Sequence, residues 1–79
     1  MSEYTDLQDM IDVLNIAIVR EESEERFFRN SCMASTHKIA CEMFKEIAEE
    51  YASHSHLLES KRRILMDALD NLKKSKKEK

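Results

Sequence analysis

Apolar residues recur at helical spacing along most of this 79-residue chain, and their phase changes once, near residue 36. The first series runs in steps of three and four residues through Leu7, Ile11, Leu14, Ile18, Glu21, Glu25 and Phe28. The second series runs in the same steps through Ala40, Phe44, Ile47, Tyr51, His54, Leu58, Lys61, Leu65, Ala68 and Leu72. This spacing is typical of amphipathic helices, and a single rod would lose its apolar stripe at the phase change. The pattern therefore predicts two helices joined by a turn.

The composition agrees with an all-α fold, because the chain has no glycine or proline for tight turns. Thr5 to Gln8 has the T-x-x-Q form of a capping box, so the first helix is predicted to begin at residue 6. Ser35 or Thr36 is predicted to cap the second helix. We therefore predict one domain over 1–79, with these parts: helix 1 about 6–33, turn about 34–36, helix 2 about 37–74 and a basic tail at 75–79.

A turn centred on residue 36 makes an antiparallel hairpin, in which Phe28 lies near Phe44, Glu21 near Tyr51 and Ile18 near His54. The longer second helix is then expected to overhang, or to meet a partner, around residues 65–72. Two helices cannot enclose a core, and so short a chain buries little apolar surface. We therefore expect a homodimer or a higher homo-oligomer, with two hairpins forming a four-helix bundle.

The sequence has no apolar run long enough for a membrane span, and its first ten residues are acidic and polar, unlike a signal peptide. A cytoplasmic protein with no membrane partner is expected. Cys32 and Cys41 lack the C-x-x-C spacing, so they are interpreted as two small buried residues in a reducing compartment. With His37 they form only a weak zinc signal.

Charge is unevenly distributed along the chain. Residues 1–60 carry a net charge of −8 and residues 61–79 a net charge of +5, which together give the overall −3. The basic end includes the Lys-rich tail, but no aromatic residues are interleaved with its cations. Because such residues normally accompany a nucleic-acid-binding surface, the pattern does not favour nucleic acid as a partner.

Three polar residues fall within the predicted apolar stripes, at neighbouring levels of the hairpin: Glu21, Tyr51 and His54. Burying such groups without partners costs several kcal/mol, so they must be satisfied by each other, by water or by a metal ion. A carboxylate with an imidazole suits iron, manganese or zinc. His56 points about 200° away from His54 on a helix and is expected to be solvated. Glu25 is expected to be solvated or to pair with Arg29.

Two segments carry a resemblance to the ferritin-like domain of rubrerythrins: "LNIAIVREESEERFF" at 14–28 and "MFKEIAEEYASHSHLL" at 43–58. Together they span residues 14–58, more than half of the chain. In that family, a Glu on one helix and a Glu-x-x-His on the next are iron ligands, and two such halves hold a di-iron centre. By this resemblance Glu21 matches the first ligand and His54 the histidine. Because only one half is present, the resemblance implies a ferritin-like four-helix bundle made by a homodimer.

The chain departs from the family at Tyr51, which stands where the carboxylate of Glu-x-x-His bridges the metals. Glu50 or Glu25 is a candidate substitute. Alternatively, the Glu21 and His54 side chains of two chains hold one metal, or no metal binds and Tyr51 donates a hydrogen bond to Glu21. Phe28 also replaces a usual tyrosine.

Two functions follow. The resemblance implies an iron protein with ferroxidase or peroxide-reducing activity, which would need an external electron-transfer protein because the rubredoxin-like cysteines are absent. The candidate metal ligands are then Glu21, His54, Glu50 and Tyr51. The alternative is a degenerate hairpin dimer without metal that acts as a structural or protein-interaction module.

Overall fold

The computed structural model describes residues 2–77, and its side chains as far as residue 75. Two long helices account for nearly all of them: α1 spans Glu3–Ala34 and α2 spans Lys38–Lys77. They pack side by side as an antiparallel hairpin measuring 64 × 17 × 13 Å, which confirms the predicted all-α hairpin. The helix α2 continues three residues beyond its predicted end, into the basic tail. Residues 78 and 79 of that tail lie outside the described residues.

The helix α1 begins earlier than predicted, because Ser2 rather than Thr5 is its N-cap. The Ser2 hydroxyl accepts a 3.2 Å hydrogen bond from the Thr5 backbone N–H, and Ser2 carbonyl oxygen accepts one from Asp6 N–H at 3.1 Å. Glu3 and Asp6 place negative charge in the first turn, where the helix dipole favours it. The capping-box reading of Thr5 was therefore wrong by one turn.

The turn between the helices is short and contains no residue with positive φ. Ser35 ends α1 in an extended conformation, and its backbone N–H donates to the Cys32 carbonyl at 3.1 Å. Its hydroxyl accepts from the His37 N–H and lies 3.2 Å from the His37 carbonyl oxygen. That same carbonyl accepts from Cys41 N–H at 3.0 Å, which starts α2. A glycine is not needed here because Ser35 reverses the chain with extended backbone and a side-chain hydrogen bond.

The register of the two helices differs from the symmetric pairing that the turn alone predicts. Phe28 does contact Phe44, as predicted, with ring centroids 6.1 Å apart. Farther from the turn, however, α1 residues meet α2 residues three to five positions later than predicted: Glu21 meets His54 and Asn15 meets Arg62. Side chains lean toward the N-terminus of their own helix. In an antiparallel pair this lean carries α1 side chains away from the turn and α2 side chains toward it, so each meets a later residue.

The contact surface of α2 is also rotated relative to the predicted stripe. The most buried side chains of the hairpin are Ile18, Ala48, Ser55 and Leu69, all with 9% exposure or less. Ala48, Ser55 and Leu69 are spaced by seven and fourteen residues, so they lie on one line along α2. Two of the three are small, which lets α1 approach closely along that line. The rotation moves His54 and Lys61, both predicted to face the core, to an exposed edge.

The end of α2 does not overhang in the way that the sequence predicted. Lys73 places its ammonium group 5.8 Å from the centre of the Tyr4 ring, near the start of α1. Leu69 is buried and Leu65 and Leu72 are partly buried, so α1 covers the segment 65–72. The earlier start of α1 and the shifted register together remove the predicted overhang. Neither helix, over the part of the chain described, is long and apolar enough to cross a membrane.

Candidate metal site

The predicted acid and imidazole meet between the helices. Glu21 lies on the α2-facing side of α1, and its Oε2 is 3.6 Å from Nδ1 of His54. The Glu21 side chain is 26% exposed, in keeping with its predicted place in the stripe, whereas the His54 side chain is 61% exposed. His54 therefore covers Glu21 from the solvent side. The pair joins the two helices through residues that lie 33 positions apart in the sequence.

The buried oxygen of Glu21 lacks a hydrogen-bond donor in the described part of the hairpin. Its Oε2 is sealed from solvent and accepts no hydrogen bond from any described residue. The 3.6 Å separation from His54 is longer than a normal N–H···O hydrogen bond of about 2.7–3.2 Å. A buried carboxylate oxygen without a partner costs free energy, so this position favours a cation.

Tyr51 belongs to an aromatic cluster rather than to the Glu21 carboxylate. Its ring stacks on Phe28 with centroids 5.7 Å apart and planes only 10° from parallel. The His54 ring meets it edge-on at 6.3 Å. The alternative in which Tyr51 donates a hydrogen bond to Glu21 was wrong, since no such bond is present among the described side chains. The Phe at position 28 instead supplies a flat surface for the phenol.

The two candidate substitutes for the missing carboxylate lie away from the pair. Glu50 is exposed, and Glu25 accepts a 2.8 Å hydrogen bond from Arg29, which confirms the predicted i, i+4 pair. Within residues 2–77, no three His, Cys, Asp or Glu side chains are grouped closely enough to hold a metal ion. One chain therefore supplies two donors, Glu21 and His54, and no complete metal site.

The other histidines and the cysteines lie outside this site. His56 is 81% exposed, as predicted, with Nδ1 3.9 Å from Glu59 Oε2. Cys32 and Cys41 form a disulfide beside the turn, so the interpretation of two unlinked thiols was wrong and the weak zinc alternative loses its thiolates. The sequence signal for this disulfide was the position of the two cysteines near the facing ends of the two predicted helices. Nine residues apart across a short turn, they come within bonding reach.

The pair lies beside an open apolar groove that sequence reasoning missed. The groove encloses about 590 Å³ between the helices and is lined mainly by Met10, Val13, Leu14, Ile64 and Leu65. Leu14 and Glu21 are seven residues apart on α1, and Lys61 and His54 are seven apart on α2. Seven residues are about two turns, so the pair continues the same face of the hairpin. We call this side the groove face. The sequence signal for the groove was the presence of apolar residues on α1 outside its predicted stripe, such as Met10 and Val13.

Comparisons of the chain with models of known protein families, with curated proteins and with solved structures gave no match. The candidate site consists of a buried carboxylate oxygen, an exposed imidazole and an apolar groove on one face of the hairpin.

Proposed function

We propose that two hairpins pack through their groove faces into a ferritin-like four-helix bundle in which Glu21 and His54 of both chains bind iron. The observation that supports this proposal best is the contact between Glu21 and His54, in which the sealed Oε2 of Glu21 lacks a hydrogen-bond donor. The resemblance of residues 14–58 to rubrerythrins implies the same two side chains as ligands.

The exposed surface of the single chain supports association. The hairpin exposes 6339 Å², whereas a compact monomer of 9.3 kDa exposes about 5000 Å². A standard protein interface removes about 800 Å² from each partner, which is less than this excess. Met10 and Ile64, on opposite walls of the groove, are 51% and 60% exposed. A second hairpin on the groove face would cover both.

The donor set fits a first-row metal once two chains contribute. Two ligands that bind one ion at about 2.0–2.2 Å are separated by about 3.0–3.6 Å, and the Glu21–His54 distance is 3.6 Å. A two-fold axis through the groove face supplies two carboxylates and two imidazoles, a set that suits iron and also manganese or zinc. Bound iron would supply redox chemistry toward oxygen or peroxide. Electrons would come from a separate protein.

A second candidate function is a metal-free dimer that acts as a structural or protein-interaction module. The position of Tyr51 favours it, because the residue that replaces the bridging carboxylate is held in the Phe28 stack. In this alternative, Glu21 and His54 form only an ion pair between the helices when His54 is protonated.

Metal analysis separates the two functions. Freshly purified protein should contain iron, and the apo-protein should take up Fe(II) at a fixed ratio per dimer. Glu21→Gln and His54→Ala should each abolish uptake while circular dichroism shows unchanged helix content. His56→Ala is the matched control, since it removes an exposed imidazole two residues away and should leave uptake unchanged. Equal iron binding by all four proteins, or none by the parent chain, would support the module.

Replacing Tyr51 with Glu examines the same proposal from the opposite direction. The added carboxylate completes Glu-x-x-His and should raise the iron content of each dimer. The expected readout is a higher stoichiometry and a new absorption band after Fe(II) addition in air. If Tyr51→Glu binds no more iron than the parent protein, the rubrerythrin-like arrangement of ligands is wrong.

A further inference from the structure

Apolar residues occur on every side of the helix α1 between residues 10 and 19, where only Asp12 and Asn15 are polar, although α2 covers only one side of it. Ile18 faces α2 and is 4% exposed, whereas Val13, Ile16 and Val19 are 63%, 56% and 62% exposed. A helix that is apolar all round is normally enclosed on all sides. The outer side of α1 therefore lacks a covering layer in the single hairpin.

This outer side adjoins the groove face at Val13 and Glu21, which line one open pocket with Ile16 and Arg20. Ile16 follows Leu14 by two residues and precedes Ile18 by two, which turns it about 200° from each. A partner on the groove face would cover Met10 and Leu14 but would leave Ile16 and Val19 exposed. We call the set Asp12, Ile16, Val19 and Arg20 the outer stripe. One standard interface on the groove face would also leave about 500 Å² of the excess surface uncovered.

We propose that the outer stripe packs against the same stripe of a second copy of this chain, with the two α1 helices antiparallel and a two-fold axis at Ile16. In this arrangement the Ile16 side chains meet each other and Val13 meets the partner's Val19. This interface shares Val13 with the edge of the groove face and does not require iron. Where both interfaces form, the protein assembles beyond a dimer.

The charged residues of the outer stripe are complementary only in this arrangement. Asp12 and Arg20 lie four residues on either side of Ile16, so an antiparallel pair places Asp12 opposite the partner's Arg20. A parallel pair would instead oppose like charges. Among the described residues, neither the Asp12 nor the Arg20 side chain has an ion-pair or hydrogen-bond partner within the chain.

This self-complementarity indicates a second copy rather than an unrelated protein. An interface with two-fold symmetry requires that residue i contact residue j while j contacts i. The outer stripe meets that requirement with an apolar centre and charges of opposite sign at equal distances. Charge matching of this kind sets the orientation of packed helices more than it sets their affinity.

The first experiment measures the mass of the full-length protein in solution by sedimentation velocity. Ile16→Glu should lower the assembled mass and weaken association by about tenfold or more, because it places charge at the centre of the interface. Met33→Glu, which changes another exposed apolar residue near the turn (83% exposed), should keep the parent mass. Parent-like mass for Ile16→Glu would overturn the proposal.

Charge exchange provides a second measurement that does not touch the apolar residues. Asp12→Arg and Arg20→Asp should each weaken association, and the double exchange should restore it. A double variant no better than the single ones would overturn the antiparallel pairing. Met10→Glu tests the groove face separately: if it lowers the mass while Ile16→Glu does not, the groove-face dimer stands and the outer-stripe interface is wrong. If Ile16→Glu lowers the mass and Met10→Glu does not, the outer-stripe interface stands and the groove-face dimer is wrong.

Discussion

The Arg62 guanidinium donates a 2.8 Å hydrogen bond to the Asn15 side-chain oxygen, which joins the middle of α1 to α2 across 47 residues of sequence. The sequence patterns did not single out either residue. This bond and the Glu21–His54 contact both join an α1 residue to an α2 residue that lies later in the chain than the symmetric pairing predicts. Two independent polar contacts therefore show the same direction of shift between the helices.

Asn15→Ala should lower the free energy of unfolding by about 0.5–1.5 kcal/mol, because it removes one hydrogen bond to a charged donor near the surface. Urea unfolding followed by circular dichroism measures the loss. Asn30→Ala is the matched control, since Asn30 is exposed on the same helix. The loss should disappear when Arg62→Ala is already present. A full loss in that background would mean that Asn15 acts through something other than Arg62.

The disulfide between Cys32 and Cys41 should stabilise the hairpin through the unfolded chain. Closing a loop of about nine residues is worth about 2–3 kcal/mol by the chain-entropy estimate. The double variant Cys32→Ser/Cys41→Ser should therefore unfold at lower urea by that amount. Dithiothreitol should produce the same change in the parent protein and none in the double variant. Equal stability of the oxidised parent and the double variant would contradict this prediction.

Phe27 and Phe28 are adjacent in sequence and differ in environment. Phe28 contacts Phe44 and Tyr51 between the helices, whereas Phe27 is 61% exposed. Phe28→Ala should lower the free energy of unfolding by about 2–4 kcal/mol, since it leaves a gap in the aromatic cluster. Phe27→Ala should cost less than about 1 kcal/mol. Thermal unfolding of the two variants makes the comparison, and a larger loss for Phe27 would place Phe27 in an interface.

Ala48 has 0% exposure, at the line where the two helices approach most closely. Ala48→Leu should destabilise the hairpin by about 1–3 kcal/mol, because the larger side chain forces the helices apart. Ala34→Leu, at the exposed end of α1, should change stability by no more than about 0.5 kcal/mol. Urea midpoints measure both. Greater stability of Ala48→Leu would show that space remains at this contact.

The two-helix hairpin was predictable because the apolar steps of each helix and the phase change near residue 36 all agree. The contact between Phe28 and Phe44 followed from the same reasoning, since it lies close to the turn. Periodicity alone did not distinguish His54 from Ser55 as the residue that faces α1. That choice depends on side-chain volume at the closest approach, where Ser55 fits and a histidine does not.

The meeting of Glu21 with His54 was predicted as a pair of ligands but placed at the wrong register. Sequence spacing counts residues from the turn and takes no account of the lean of side chains along each helix. The disulfide was missed for a related reason. Its formation depends on the path of three turn residues, which no spacing rule for cysteines describes.

The thin core of the hairpin has a thermodynamic consequence. Ile18, Ala48 and Leu69 are the buried apolar residues of the described chain, too few to secure a lone protomer strongly. If folding draws on contacts between chains, mass action makes the melting temperature rise with protein concentration. Dilution would then unfold the helices as well as separate them.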